Sequence, residues 1–124
     1  MPGATVVRFR IEYPPNFGKL YGLNAIYAGK HWSARQKDSV YWHTIVRKAL
    51  KNAGIKKGAY KHPVSITFWW DDRLDCSNHA YASKMIEDAL KGYLIVDDNK
   101  KWVKRITHEF HTGKCILVEI KALK

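Results

Sequence analysis

Asp75, Glu87, Asp88, Asp97 and Asp98 all fall inside one run, RLDCSNHAYASKMIEDALKGYLIVDD, from Arg73 to Asp98. Carboxylates gathered in this way suit a hard divalent cation. Mg²⁺ takes oxygen ligands and is usually held by a few carboxylates together with water and substrate phosphate. An ion so held polarises a phosphoryl oxygen and lowers the pKa of a bound water. The competing reading is plain cap and turn chemistry: Asp75 beside a helix start favours the macrodipole, and Asp97 with Asp98 forms a turn. For a metal site, Asp75 and Asp98 must meet in space. That happens if a short strand leading to Asp98 lies beside the apolar stretch Val64–Trp70.

The charge pattern sharpens the contrast. The chain has 124 residues, 22 Lys and Arg against 11 Asp and Glu, and a formal net charge of +11. Asp71 to Asp98 holds seven of those acids and three of the bases, a net −4 against +15 for the remainder. Basic surfaces hold phosphates and clustered carboxylates hold cations, so such a chain is suited to holding a phosphate backbone against a metal. A composition 46% apolar and 13% aromatic, without low-complexity segments, predicts a single folded domain over residues 1–124. No apolar run approaches membrane-spanning length, and the first residues lack the apolar core of a signal peptide. Cys76 and Cys115 form no CxxC pair and are expected to be reduced thiols of a cytoplasmic protein.

The elements that must position these residues follow from periodicity. Val6–Tyr13 alternates as a half-buried strand ended by Pro14 and Pro15, and the Gly- and Asn-containing stretch to Asn24 is expected to be loop. Ser33–Gln36 fits a capping box opening a long helix, with Trp42, Ile45, Val46, Ala49, Leu50 and Ala53 as its buried stripe and Gly54 just past its end. Val64–Trp70 is a second strand. A second helix is expected from an Asn78 cap to Lys91, burying Ala82, Met85, Ile86, Ala89 and Leu90, with Gly92 capping it. Tyr93–Val96 is expected to be a short strand delivering Asp97 and Asp98. Lys101–Phe110 and Lys114–Lys121 are expected to be two further strands joined by a tight turn as a terminal hairpin. The predicted class is therefore α+β, a sandwich-like mixed β-sheet with two main helices packed on it.

The residues Arg73, Asp75, Asn78, Lys84, Asp88-Ala89-Leu90 and Asp97-Asp98 stand in an order that resembles the RusA-type Holliday junction resolvases. Their signature runs approximately R-x-D-x-D-N, a Lys, D-A-L, then an apolar segment ending in D-D. The N-terminal stretch YPPNFGKLYGLNAIYAGKHW is similar to the family's opening more loosely. The resemblance implies a RusA-like fold and a homodimeric endonuclease of phage or prophage origin that cuts four-way DNA junctions with Mg²⁺, for which Mn²⁺ can substitute. It implies no small-molecule cofactor and no membrane partner. It makes Asp75, Asp88, Asp97 and Asp98 the metal-binding acids, with Lys84, Asp75 and Asp98 catalytic. Lys84 and Asp88, four apart, can share one helical face. The match departs at Ser77, a hydroxyl where the family usually has its second Asp. Asp71 or Asp72 reaching in, a larger share for Asp88 or Asp97, or a water held by Ser77 are the ways to fill that position.

Around the acids lie basic groups expected to hold DNA: Lys30, Arg35, Arg73, Lys100, Lys101 and Lys104, with Arg47 and Lys48 among further clusters. Of the five tryptophans, Trp42 and one of Trp69 and Trp70 are expected in the core, leaving Trp32 or the other strand tryptophan to face DNA or a partner chain. His108 and His111 on a strand point to opposite faces and make no zinc pair. Two rival readings are a junction-binding protein weakened or inactivated at Ser77, and an RNA-binding module whose acids are structural.

Overall fold

A computed structural model describes residues 6–123; part of the N-terminal stretch considered for a leader lies outside them. β1 (Val6–Ile11) buries Val7, Phe9 and Ile11 and exposes Val6, Arg8 and Arg10, as the alternation requires. α1 (Phe17–Tyr21) and α2 (Leu23–Tyr27) precede the long α3 (Trp32–Asn52). β2 (Val64–Trp70), a 3-10 turn (Cys76–His79), α4 (Ala80–Leu90), β3 (Val103–Phe110) and β4 (Ile116–Ala122) complete the order. One four-stranded mixed sheet, ordered β1-β4-β2-β3, carries the helices. β4 pairs antiparallel with both β1 and β2, and β2 pairs parallel with β3. Trp42, Val46 and Leu50 of α3 and Ala82, Ile86 and Ala89 of α4 share a core with Phe9, Ile66, Phe68, Trp70, Val118 and Ile120 of the sheet. The mixed sheet with two principal helices is the predicted class.

Several local expectations change. The Gly-rich stretch after Pro15 is helical: Phe17 and Tyr21, one turn apart, are buried against the core. Asn16 opens α1 with φ 57°. Its glycines serve close packing, because a Cβ on Gly22 would lie 2.7 Å from the Gly18 carbonyl oxygen. α3 starts one residue before Ser33, capped by His31 Nδ1, which accepts the Ser33 N–H at 3.1 Å. At its other end Ala53 is exposed as the C-cap, and Gly54 takes φ +74° while the Ile55 N–H donates to the Leu50 carbonyl.

Tyr93–Val96 is not a strand. Gly92 (φ +75°) turns the chain back on α4, and the Leu94 N–H donates to the Leu90 carbonyl. The Tyr93 and Leu94 carbonyls accept from Gly58 and Tyr60, both at 2.8 Å. The segment is therefore a buried loop, with Tyr93, Leu94 and Ile95 inside, docked on residues 58–60. Asn78 likewise does not cap the second helix: Asp75 opens a 3-10 turn and α4 follows from Ala80.

No terminal hairpin forms either. β3 and β4 are consecutive in sequence, but β2 lies between them. The burial pattern supplies the reason. β4 buries Ile116, Val118 and Ile120 and suits an interior position, whereas β3 exposes Lys104, Arg105, Glu109 and Phe110 and suits an edge.

α3 and α4 run parallel. The Tyr81 hydroxyl donates to Asp38 Oδ2 at 2.7 Å near their starts, and Arg47 Nε donates to the Ala89 carbonyl at 2.7 Å near the end of α4. Arg47 also reaches the Lys91 carbonyl at 3.1 Å and lies 4.9 Å from the centre of the Tyr93 ring. It thus satisfies the open carbonyls at the end of α4 and holds the loop that leads to Asp97. Arg47→Ala is expected to lower stability by about 2 kcal/mol. A drop in the urea midpoint at unchanged slope is the readout.

Candidate functional site

The 3.6-residue period of α4 turns Ala82, Met85, Ile86, Ala89 and Leu90 into the core and leaves Lys84 and Asp88 together on its outer face. The Lys84 ammonium donates to Asp88 Oδ1 at 3.0 Å and also to Asp98 Oδ2. Lys91 Nζ stands 3.7 Å from Asp98 Oδ1 and 3.8 Å from Asp97 Oδ1. Asp97 is fixed from its own loop, accepting the Asp98 N–H at 2.8 Å and the Asn99 side-chain amide at 3.2 Å. Two lysines therefore bind three carboxylates from both ends of the α4-to-loop segment. Asp98 is the least exposed of the three, its side chain only 17% accessible.

The electrostatics follow from these contacts. The Lys84 hydrogen bond, helped by Asp88 and Asp97, holds the Asp98 carboxyl far below the usual carboxylate range in spite of burial. Burial works against the Lys84 charge, but Asp98 and Asp88 hold its ammonium well above the usual lysine range. Glu87, inward on the same helix, is pushed up by burial; nearby Lys84 opposes this shift and Asp98 and Asp88 add to it.

Asp75 is exposed at the start of the 3-10 turn, and its side chain caps nothing. Ser77 is exposed on the same turn. Both neighbouring acids already take part in hydrogen bonds of their own. Asp71 Oδ2 accepts the Lys114 N–H at 2.8 Å, and Asp72 belongs to a different network.

That network is the part that sequence reasoning missed. His79 is fully buried, stacked at 4.3 Å on the Trp70 ring, with Nε2 2.9 Å from Asp72 Oδ1 and Nδ1 3.0 Å from the Cys76 carbonyl. Asp72 also accepts the Tyr13 hydroxyl at 2.7 Å and the Leu74 N–H at 2.9 Å. The Tyr13 oxygen in turn accepts the Asp71 N–H at 2.6 Å, and burial, chiefly, raises the Tyr13 pKa. Close by, the Trp70 indole N–H donates to His108 Nδ1 at 3.0 Å; burial and His79 hold His108 below the usual imidazole range, in keeping with a neutral acceptor. Asp72 and His79 lie at the two ends of an irregular turn that follows neither an α-helical nor a strand course. No sequence signal pairs them.

The basic residues divide. Arg35, Arg73, Lys100, Lys101 and Lys104 are exposed, with Lys101 Nζ 5.3 Å from the Trp102 ring centre. Lys30 is not a free cation: it binds Asp38 at 2.5 Å and the Leu20 carbonyl at 2.6 Å, beneath the rings of Tyr21 and Tyr81. Arg47 is engaged at the end of α4. A cavity of about 800 Å³ between β1 and α3, lined by Phe9, Ile11, Ile45 and Ala49 among others, shares no residue with the lysine–carboxylate cluster. Its lining mixes these apolar side chains with Arg8, Arg10, Glu12 and Lys48.

The donors at the cluster fit a divalent cation in kind. Asp98 and Asp88 offer hard oxygens from two directions, with Asp97 beside them. Among the described residues no group of three or more His, Cys, Asp and Glu side chains is arranged to hold a metal ion. Mg²⁺ is commonly held by one or two carboxylates with water and a substrate phosphate. Cys76 and Cys115 are free thiols, and among the described residues no helix is long and apolar enough to cross a membrane. No family model matches the chain, and no curated protein matches it.

Proposed function

We propose that the chain is a RusA-type, Mg²⁺-dependent, structure-selective DNA endonuclease that acts as a homodimer on four-way junctions. The observation that carries this reading is the assembly of Lys84 with Asp88 and Asp98 on an exposed face of an otherwise basic molecule. Asp98 and Asp88, with Asp97, would hold the ion. When bound, it supplies charge stabilisation at the phosphoryl oxygens and a more acidic water. Lys84 keeps its proton because its acidity is suppressed, so it acts as a fixed positive charge for a phosphate oxygen and not as a base. Lys91 steadies Asp97 and Asp98 from the opposite side. Exposed Arg73, Lys100, Lys101 and Lys104 supply phosphate contacts, which carry no sequence information and suit recognition by shape.

A second reading, a junction-binding protein without cleavage, is favoured by one observation: Ser77, on the turn that Asp75 opens, is exposed and offers a hydroxyl, not a carboxylate. A synthetic four-way junction incubated with the purified chain separates the two. Paired, symmetric nicks in Mg²⁺ or Mn²⁺ are expected; tight binding with no nicks in either metal would overturn the enzyme in favour of the binder.

A further inference from the structure

Tyr27 and Trp32 are the two most exposed large aromatic side chains among the described residues, 78% and 64% accessible. They stand on either side of one short connector, Tyr27 closing α2 and Trp32 opening α3. The connector between them is firmly built. Lys30 turns inward, only 14% exposed, onto Asp38, the Leu20 carbonyl and the two tyrosine rings. Residues 28–31 are thus pinned by a side chain of their own, while the aromatic on each side is left to solvent.

The surroundings are cationic. From Tyr13 to Lys37 the chain carries Lys19, Lys30, Arg35 and Lys37 and no Asp or Glu. With Lys30 engaged by Asp38, the other three remain exposed. The position is equally specific: α2 packs against α4 and against the turn that bears Asp75 and Ser77. Tyr81, which closes over Lys30 and feels the Arg35 charge, lies one turn before Lys84 on α4. Exposed rings on a rigid connector, bordered by cations and beside a lysine–carboxylate cluster, match the chemistry of single-stranded nucleic acid: aromatic faces take bases and cations take phosphates. A duplex hides its base faces, so the matching ligand has unpaired bases.

We propose that Tyr27 and Trp32 form a stacking platform for unpaired DNA bases, guiding a strand toward the Lys84–Asp98 cluster. The inference rests on the nucleic-acid reading above, and its test separates the two. Fluorescein-labelled oligo(dT) and a four-way junction are titrated at fixed salt with the wild-type chain and with Tyr27→Ala, Trp32→Ala and Trp32→Phe. Each alanine variant is expected to bind oligo(dT) roughly tenfold more weakly, the scale of one lost base stack, while Trp32→Phe stays near wild type. Thermal midpoints should not move, since neither ring is packed. Wild-type binding with unchanged affinity in the alanine variants overturns the platform and spares the function. No binding of either DNA by the wild type overturns both. Sedimentation checks the remaining occupant: a wild-type dimer that Trp32→Ala makes monomeric, with oligo(dT) affinity unchanged, assigns the rings to a second copy and overturns the platform.

Discussion

Asp98→Asn should abolish junction cleavage, slowing it by at least about 100-fold, while leaving junction binding near wild type. The size follows from several kcal/mol of transition-state charge stabilisation lost with a metal ligand, each 1.4 kcal/mol being tenfold in rate. Two losses coincide in this variant. The carboxylate with the strongest hold on its charge becomes a neutral amide, and Lys84 is left with Asp88 alone. Asp97→Asn should do less, because Asp97 is more exposed, sits 3.8 Å from Lys91 and spends its oxygens on its own loop. The check is single-turnover cleavage in Mg²⁺ beside a binding titration without metal. Equal rates for Asp98→Asn and wild type would remove Asp98 from the chemistry.

Asp72→Ala should destabilise the fold by about 3 kcal/mol, the scale of leaving several buried donors without their acceptor. Its carboxylate takes three donors, the His79 ring, the Tyr13 hydroxyl and the Leu74 N–H, and the substitution strands all of them. His79 cannot turn to water, since it is fully buried and stacked on Trp70. His79→Leu should also destabilise, and the double variant should lose less than the sum of the singles, because the second change removes a group the first had already orphaned. Urea unfolding measures each. A loss below about 1 kcal/mol for Asp72→Ala would mean that the network is peripheral to stability. The 3-10 turn carrying Asp75 and Ser77 hangs between Asp72 and His79, so the same variants should loosen that turn first, readable as faster amide exchange there.

The distance between sequence and structure differs from element to element. The face shared by Lys84 and Asp88, the stripe from Ala82 to Leu90, the span of β2 and the left-handed glycines at 54 and 92 were all legible. Each is set by residues within a turn or two of one another. The α1–α2 stretch was misjudged because Gly and Asn outweighed the Phe17–Tyr21 period, which only burial against Trp42 and Trp70 makes effective.

By itself the sequence determined the mixed α+β class, the acidic island in a basic chain, and that Lys84 and Asp88 share one face of a helix. Those properties depend on local period and on formal charge. The tertiary structure alone decided that β2 separates β3 from β4, that the segment before Asp97 is a docked loop, and that Lys30 and Arg47 are structural cations. It alone paired Asp72 with His79. Each of these is a contact between residues distant in sequence or across an aperiodic turn, won by competition for buried partners over the whole chain, and no local pattern encodes that competition.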